Sequence, residues 1–114
     1  MSTIKYSEAP ITQVSSTIER RFIRTSNLMT VIVDFSGGPA TAPDPFHSHP
    51  HEQTCYIAEG EILFFLSDDP PVHLKAGDMF AVASGISHSV QLLTPTARLV
   101  DSFNPIREDF LNIK

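Results

Sequence analysis

The stretch His47-Ser48-His49-Pro50-His51-Glu52-Gln53 runs straight into the strand-like segment Thr54 to Ala58 and the turn Glu59-Gly60. Three of the chain's five histidines fall within these seven residues. In an extended backbone alternate side chains share a face, so His47 and His49 can present their imidazoles in one direction. Two imidazoles so placed can share a metal ion, and the neutral amide oxygen of Gln53 is a reasonable further donor. A solvated loop in which His and Pro merely cluster explains one such pair equally well. What separates the two readings is a distant histidine, His88 in Gly85-Ile86-Ser87-His88-Ser89-Val90, which lies between two apolar runs and is the expected third imidazole.

Outward from this stretch the chain reads as short strands. Leu28 to Phe35 alternates Met29, Val31, Val33 and Phe35 against Leu28, Thr30, Ile32 and Asp34; apolar residues on both faces predict a central strand. Upstream, residues 1 to about 14 have no clear period and are read as an arm or an edge segment. Ser16 to Ile23 is read as a partly buried strand with Ile18, Arg20 and Phe22 on one face. Gly37-Gly38-Pro39 ends the central strand, and Ala40 to Phe46 is a loop leading to the histidines. Downstream, Gln53 to Ala58 and Glu61 to Ser67 form a hairpin about Glu59-Gly60. Val72 to Lys75, Met79 to Val82, Ser89 to Leu93 and Arg98 to Phe103 follow, with turns at Asp68-Asp69-Pro70-Pro71, Ala76-Gly77-Asp78, Ser84-Gly85 and Thr94-Pro95. The only helical expectation is a turn or two in Ile106 to Leu111. Many short strands separated by Gly and Pro predict an all-β sandwich or barrel. The division is one domain over 1–114: edge segments to residue 27, barrel over 28–103, tail over 104–114.

The 114 residues leave room for one hydrophobic core. A formal net charge of −5, with no basic cluster beyond Glu19-Arg20-Arg21, argues against nucleic acid or an anionic membrane as partner and toward a small molecule. Cys55 is the single cysteine, so no intrachain disulfide demands an oxidising compartment. With no apolar run of membrane-spanning length and no apolar leader near Met1, the expected location is cytoplasmic.

The HxH pair, a glutamine four residues beyond it, Glu59-Gly60-Glu61, Gly77-Asp78 and the later His88 together resemble the two-part motif of the cupins, small double-stranded β-helix barrels with a metal in the mouth. Within them, the histidine stretch and the tail Asp101 to Leu111 look like the KdgF-type uronate-processing cupins of pectin and alginate breakdown. The resemblance spans about residues 20 to 111. It implies a divalent transition metal ion (nickel, zinc, manganese or iron) held by His47, His49, Gln53 and His88. It also implies conversion of a cyclic 4,5-unsaturated uronate into the open-chain 4-deoxy-5-keto uronate, with Asp101, Phe103 and Arg107 lining the pocket and needed for turnover. A homodimer paired through the N-terminal strands is expected by the same analogy. The sequence departs from the cupin pattern at Ala83-Ser84-Gly85, where many members carry a proline, at Cys55 and at Ser102.

Chemistry read from the residues agrees with a non-redox role. Most metal-binding cupins use a glutamate where this chain has Gln53, so three imidazoles and an amide leave the ion's 2+ charge uncompensated, which favours an anionic ligand. Lewis-acid chemistry suits that donor set better than the iron and oxygen chemistry of a two-His, one-carboxylate triad. Asp101 alternates with Leu99 and Phe103 and is either the acid–base group or an exposed strand-end aspartate. Arg107 is either a fork for the substrate carboxylate or a surface arginine paired with Glu108 or Asp109. Phe103 is either a stacking wall or plain core. Cys55 is read as a buried filler, His73 as exposed, and His51 and Glu52 as neighbours of the ligands. Two other readings stand beside the uronate enzyme: an iron-dependent cupin dioxygenase, and a non-catalytic sugar-acid or metal-binding module.

Overall fold

A computed structural model of the chain describes residues 2–111, so the last three residues of the expected tail lie outside the described residues. Nine strands form two antiparallel sheets. They are β1 (Thr12–Ser15), β2 (Ile18–Arg24), β3 (Met29–Phe35), β4 (Glu52–Glu59), β5 (Glu61–Leu66), β6 (Val72–Lys75), β7 (Met79–Val82), β8 (His88–Leu92) and β9 (Ala97–Asn104). The larger sheet has the order β1-β2-β3-β9-β4-β7 and the smaller β6-β5-β8. Among the described residues the only helical pieces are 3₁₀ turns, Tyr6–Glu8 and Glu108–Leu111. This is the all-β architecture that the short strands predict, in the double-stranded barrel form that the cupin resemblance implies.

Alternation explains the strands that matter most. In β4, Gln53, Cys55 and Ile57 are buried while Glu52, Thr54 and Tyr56 are exposed, and in β9 Ala97, Leu99, Asp101 and Phe103 are buried. The two strands pair so that Gln53 faces Phe103, Cys55 faces Asp101 and Ile57 faces Leu99, which sets their polar and apolar inner residues side by side. One apolar cluster, with Ile57, Ile62, Phe64, Phe80 and Leu99, fills the space between the sheets; a second, Met29, Val31, Phe103 and Ile106, lies beneath the C-terminal turn. β4 and β5 are not the expected hairpin: β4 pairs with β7 and β9 in the larger sheet and β5 with β6 and β8 in the smaller, so the tight turn between them passes the chain from one sheet to the other. That connection needs glycine: Gly60 has φ +83°, and a Cβ there would run into the Thr96 carbonyl oxygen.

Four details depart from the expected elements. β2 starts and ends later than Ser16 to Ile23 and is an interior strand, flanked by β1 and β3. Two of its three arginines, Arg20 and Arg21, are more enclosed than their charge suggests. Arg21 is only 8% exposed, because the Tyr6 ring lies 4.0 Å beneath its guanidinium and Asp34 pairs with it at 3.1 Å. Residues 2–14, expected as an arm or an edge segment, agree with the edge reading: they form a turn on the outer face of the large sheet and enter the edge strand β1. β8 opens at His88 rather than Ser89, and the C-terminal helical turn is confined to Glu108–Leu111.

Candidate metal centre

The site forms where a loop meets a strand end. His47 and His88 exchange two backbone hydrogen bonds, His47 N–H to the His88 carbonyl at 3.1 Å and His88 N–H to the His47 carbonyl at 2.9 Å. Residues so paired project their side chains to the same side, and the two imidazole centroids lie 4.3 Å apart. His49, two residues on, brings its ring to 4.9 Å from that of His88. Its carbonyl accepts the Gly85 N–H at 2.8 Å, which ties the loop before His88 to the histidine stretch. One donor atom from each of the three rings lies within 4.8 Å of the others.

Hydrogen bonds select the free nitrogens. The Nδ1–H of His88 donates to the Ile86 carbonyl at 2.8 Å, and that of His49 to the His51 carbonyl at 3.0 Å. Each Nε2 therefore carries its lone pair toward the centre. His88 Nε2 is buried without a hydrogen-bond partner among the described residues. His49 Nε2 lies 3.1 Å from Gln53 Oε1, and the amide is turned that way because its Nε2 donates to Asp101 Oδ1 at 3.0 Å. Two lone pairs facing each other across a buried gap are unfavourable unless a cation lies between them. The donor set thus fits a divalent metal held by His47, His49, His88 and Gln53. Burial pushes the pKa of His47 and of His88 below the ordinary imidazole value, which keeps them neutral as ligands must be.

Beneath the imidazoles is a cavity of about 150 Å³ whose wall includes Gln53, Asp101, Phe103, Arg107 and Phe110. Asp101 is buried, not an exposed strand end. Burial raises its pKa, against the pull of the Cys55 thiol and the Gln53 amide that donate to it. Phe103 serves as both core and wall: it is 3% exposed, belongs to the second apolar cluster and meets the His49 ring edge-on at 5.7 Å. Arg107 lines the cavity, with its side chain 15% exposed, and its Nε and Nη2 donate to Asp109 at 3.1 and 2.9 Å.

The remaining expectations resolve plainly. Cys55 is a buried filler whose thiol faces Asp101, with its pKa driven up by burial; it is not among the residues that converge with the histidines. His51 contributes its carbonyl to His49, Glu52 is exposed, and His73 is exposed and paired with Glu61 at 2.6 Å. Sequence reasoning passed over Asp44 and Phe110, which also line the cavity, and Arg20, whose guanidinium lies over the Phe110 ring. Only Arg20 left a signal, as a charged residue on the face shared by Ile18 and Phe22.

Fold and site together define a β-barrel with a cluster of three histidines able to hold a metal ion beside a small cavity, and the chain belongs to the cupin domain family, whose pattern matches residues 31–101. Within that family it is similar to the pectin degradation protein KdgF of Dickeya dadantii (strain 3937), at 33% identity over 106 residues, 91% of this chain and 93% of the relative. Its fold superimposes on KdgF from Halomonas sp. with a TM-score of 0.85 at 29% identity, covering 96% of this chain and 99% of the other. An RmlC-like cupin from Shewanella frigidimarina matches with a TM-score of 0.81 at 30% identity and the same coverage.

Proposed function

We propose that this protein converts cyclic 4,5-unsaturated uronate monomers, the products of pectin or alginate lyases, into linear 4-deoxy-5-keto uronate. The observation that carries the reading is the donor set: three imidazoles and an amide converge with no described carboxylate among them, above a cavity that holds a buried acid and an arginine. Similarity to a relative named for pectin degradation supports the substrate class. The cavity is below the roughly 300 Å³ at which drug-sized sites begin, which suits a monomer rather than a polymer.

In such a monomer the ring oxygen is bonded to C5 of a C4=C5 double bond. Opening the hemiacetal takes the proton from the C1 hydroxyl, leaves C1 as an aldehyde and frees an enol at C5. The enol becomes a ketone when C4 gains a proton and the C5 hydroxyl loses one. The sum is an isomerisation that needs no oxidant or reductant. A divalent ion held by His47, His49, Gln53 and His88 supplies Lewis acidity at a bound oxygen without a change of oxidation state.

Asp101 is the group assigned to proton transfer. Its raised pKa favours a carboxyl that holds a proton, and its contacts with Gln53 and Cys55 keep that carboxyl in one orientation. Arg107 pairs with the substrate carboxylate through its fork, and Phe103 closes the apolar side of the cavity against water. The reading places the reaction in the cytoplasm, a reducing compartment in which a free thiol such as Cys55 is stable. It includes a homodimer paired through the N-terminal strands, supported by the short edge strand β1 and by Ile11 beside it and Val14 within it, each 48% exposed.

Turnover in D₂O followed by proton NMR tests the assignment. Delivery from Asp101 deuterates C4 on one face, whereas spontaneous ketonisation deuterates both. The Asp101→Asn variant is expected to lose about 10²- to 10⁴-fold in kcat. Full turnover with one-face deuteration in that variant would remove Asp101 from the role.

A further inference from the structure

Arg20 and Arg107 come from opposite ends of the chain and share one aromatic ring. The Cζ of Arg20 lies 3.6 Å from the Phe110 centroid and that of Arg107 4.3 Å. Asp109, next to Phe110, is engaged by only one of them: it takes the Nε and Nη2 of Arg107 at 3.1 and 2.9 Å. The buried Nε of Arg20 has no acceptor among the described residues. Asp109's negative charge nevertheless reaches Arg20, where it favours the guanidinium that burial disfavours.

The arrangement matters because the arginine that is paired is the one on the cavity wall. Arg107 has a side chain 15% exposed, whereas that of Asp109 is 58% exposed. A two-point fork is the geometry that a guanidinium offers to any carboxylate. Asp109 therefore stands where the carboxylate of an anionic ligand would bind. We propose that Asp109 is a built-in competitor for the carboxylate site on Arg107, and that Arg20 receives Asp109 when a uronate displaces it. The proposal rests on the reading that the ligand is a uronate.

The exchange conserves the number of charge-assisted pairs. A carboxylate entering the cavity takes Arg107, and Asp109 passes to a second guanidinium over the same ring instead of to water. A neutral sugar has nothing to offer in return for the broken fork. Asp109 and Arg20 would thus be specificity-determining residues: the pair lets a sugar acid in and keeps its uncharged counterpart out. If Asp109 instead only orients Arg107 for the substrate, its removal acts with the opposite sign.

Calorimetric titration of the purified protein with D-galacturonate, which is saturated and does not turn over, measures this directly. Asp109→Asn is expected to tighten binding by roughly three- to tenfold, the range of a partly exposed charge-assisted pair. Arg20→Gln is expected to weaken binding several-fold when Asp109 is present and to have no effect in the Asp109→Asn background. Unchanged or weaker binding in Asp109→Asn overturns the proposal, as do additive effects of the two substitutions or no binding by any of the proteins. Assaying the unsaturated monomer on the same preparations separates the two claims. Tighter galacturonate binding without turnover of that monomer retires the ring-opening reaction and keeps the competitor; turnover without tighter binding does the reverse.

Discussion

Two of the three imidazoles of the centre are aimed by what their other nitrogen does. The Nδ1–H of His88 and of His49 is committed to a backbone carbonyl, so the Nε2 lone pairs have one direction left. His88→Ala and His49→Ala are each expected to bring bound metal, measured on dialysed protein, from near one equivalent to near zero while the circular dichroism of the fold is kept. The lowered pKa values of His47 and His88 also set a pH dependence. In the metal-free protein the unfolded chain takes up protons as pH falls through about 6.5 while the folded site does not. Stability is therefore expected to fall as pH is lowered from about 7 toward 5, and His88→Gln to flatten that slope in denaturant titrations. Residue types and spacing made His47, His49, Gln53 and His88 legible, because ligands of one metal must combine neutral donors on a shared face. Arg20, Asp109 and Phe110 were not legible as a group: their meeting depends on bringing β2 against the C-terminal turn, which no local spacing records.

Strands β4 and β9 carry the site between them. Pairing Gln53 with Phe103 and Cys55 with Asp101 puts an amide, a thiol, an aromatic ring and a carboxyl on one inner surface. That surface was readable from period-2 alternation in each strand, since every buried member lies on the face that alternation predicts. Strand ends were less readable. β8 begins at His88, which pairs with Leu66 of β5 and also exchanges hydrogen bonds with His47, a partner 41 positions away in sequence. The turn between β4 and β5 carries the chain from the larger sheet to the smaller one, and Gly60 suits it because a Cβ there would meet the Thr96 carbonyl oxygen. Gly60→Ala is expected to cost about 1–3 kcal/mol by denaturant titration, from positive φ and the collision with the Thr96 carbonyl. A change within about 0.5 kcal/mol would show that the turn relaxes freely.

Across the described residues the turns Tyr6–Glu8 and Glu108–Leu111 cover the large sheet from opposite sides. The N-terminal turn covers its outer face, with the Tyr6 hydroxyl donating to Asp34 at 2.7 Å and accepting from Arg98 at 2.8 Å. The C-terminal turn covers the inner face at the cavity. Such a cover leaves no period in the sequence: of residues 2–14 only Ala9 is buried, so no alternation marks a packed face. The proposed dimer is a statement at this scale. The wild-type protein is expected to sediment as two chains, and an Ile11→Glu, Val14→Lys variant as one; a wild-type monomer contradicts the pairing. The central claim is ring opening of an unsaturated uronate at the metal centre. Its most direct test is the loss of double-bond absorbance when metal-loaded protein is mixed with the unsaturated monouronate. The account predicts a rate well above the spontaneous one in the wild type and the spontaneous rate in His49→Ala. A wild-type rate no faster than the spontaneous one, with metal shown to be bound, would contradict it.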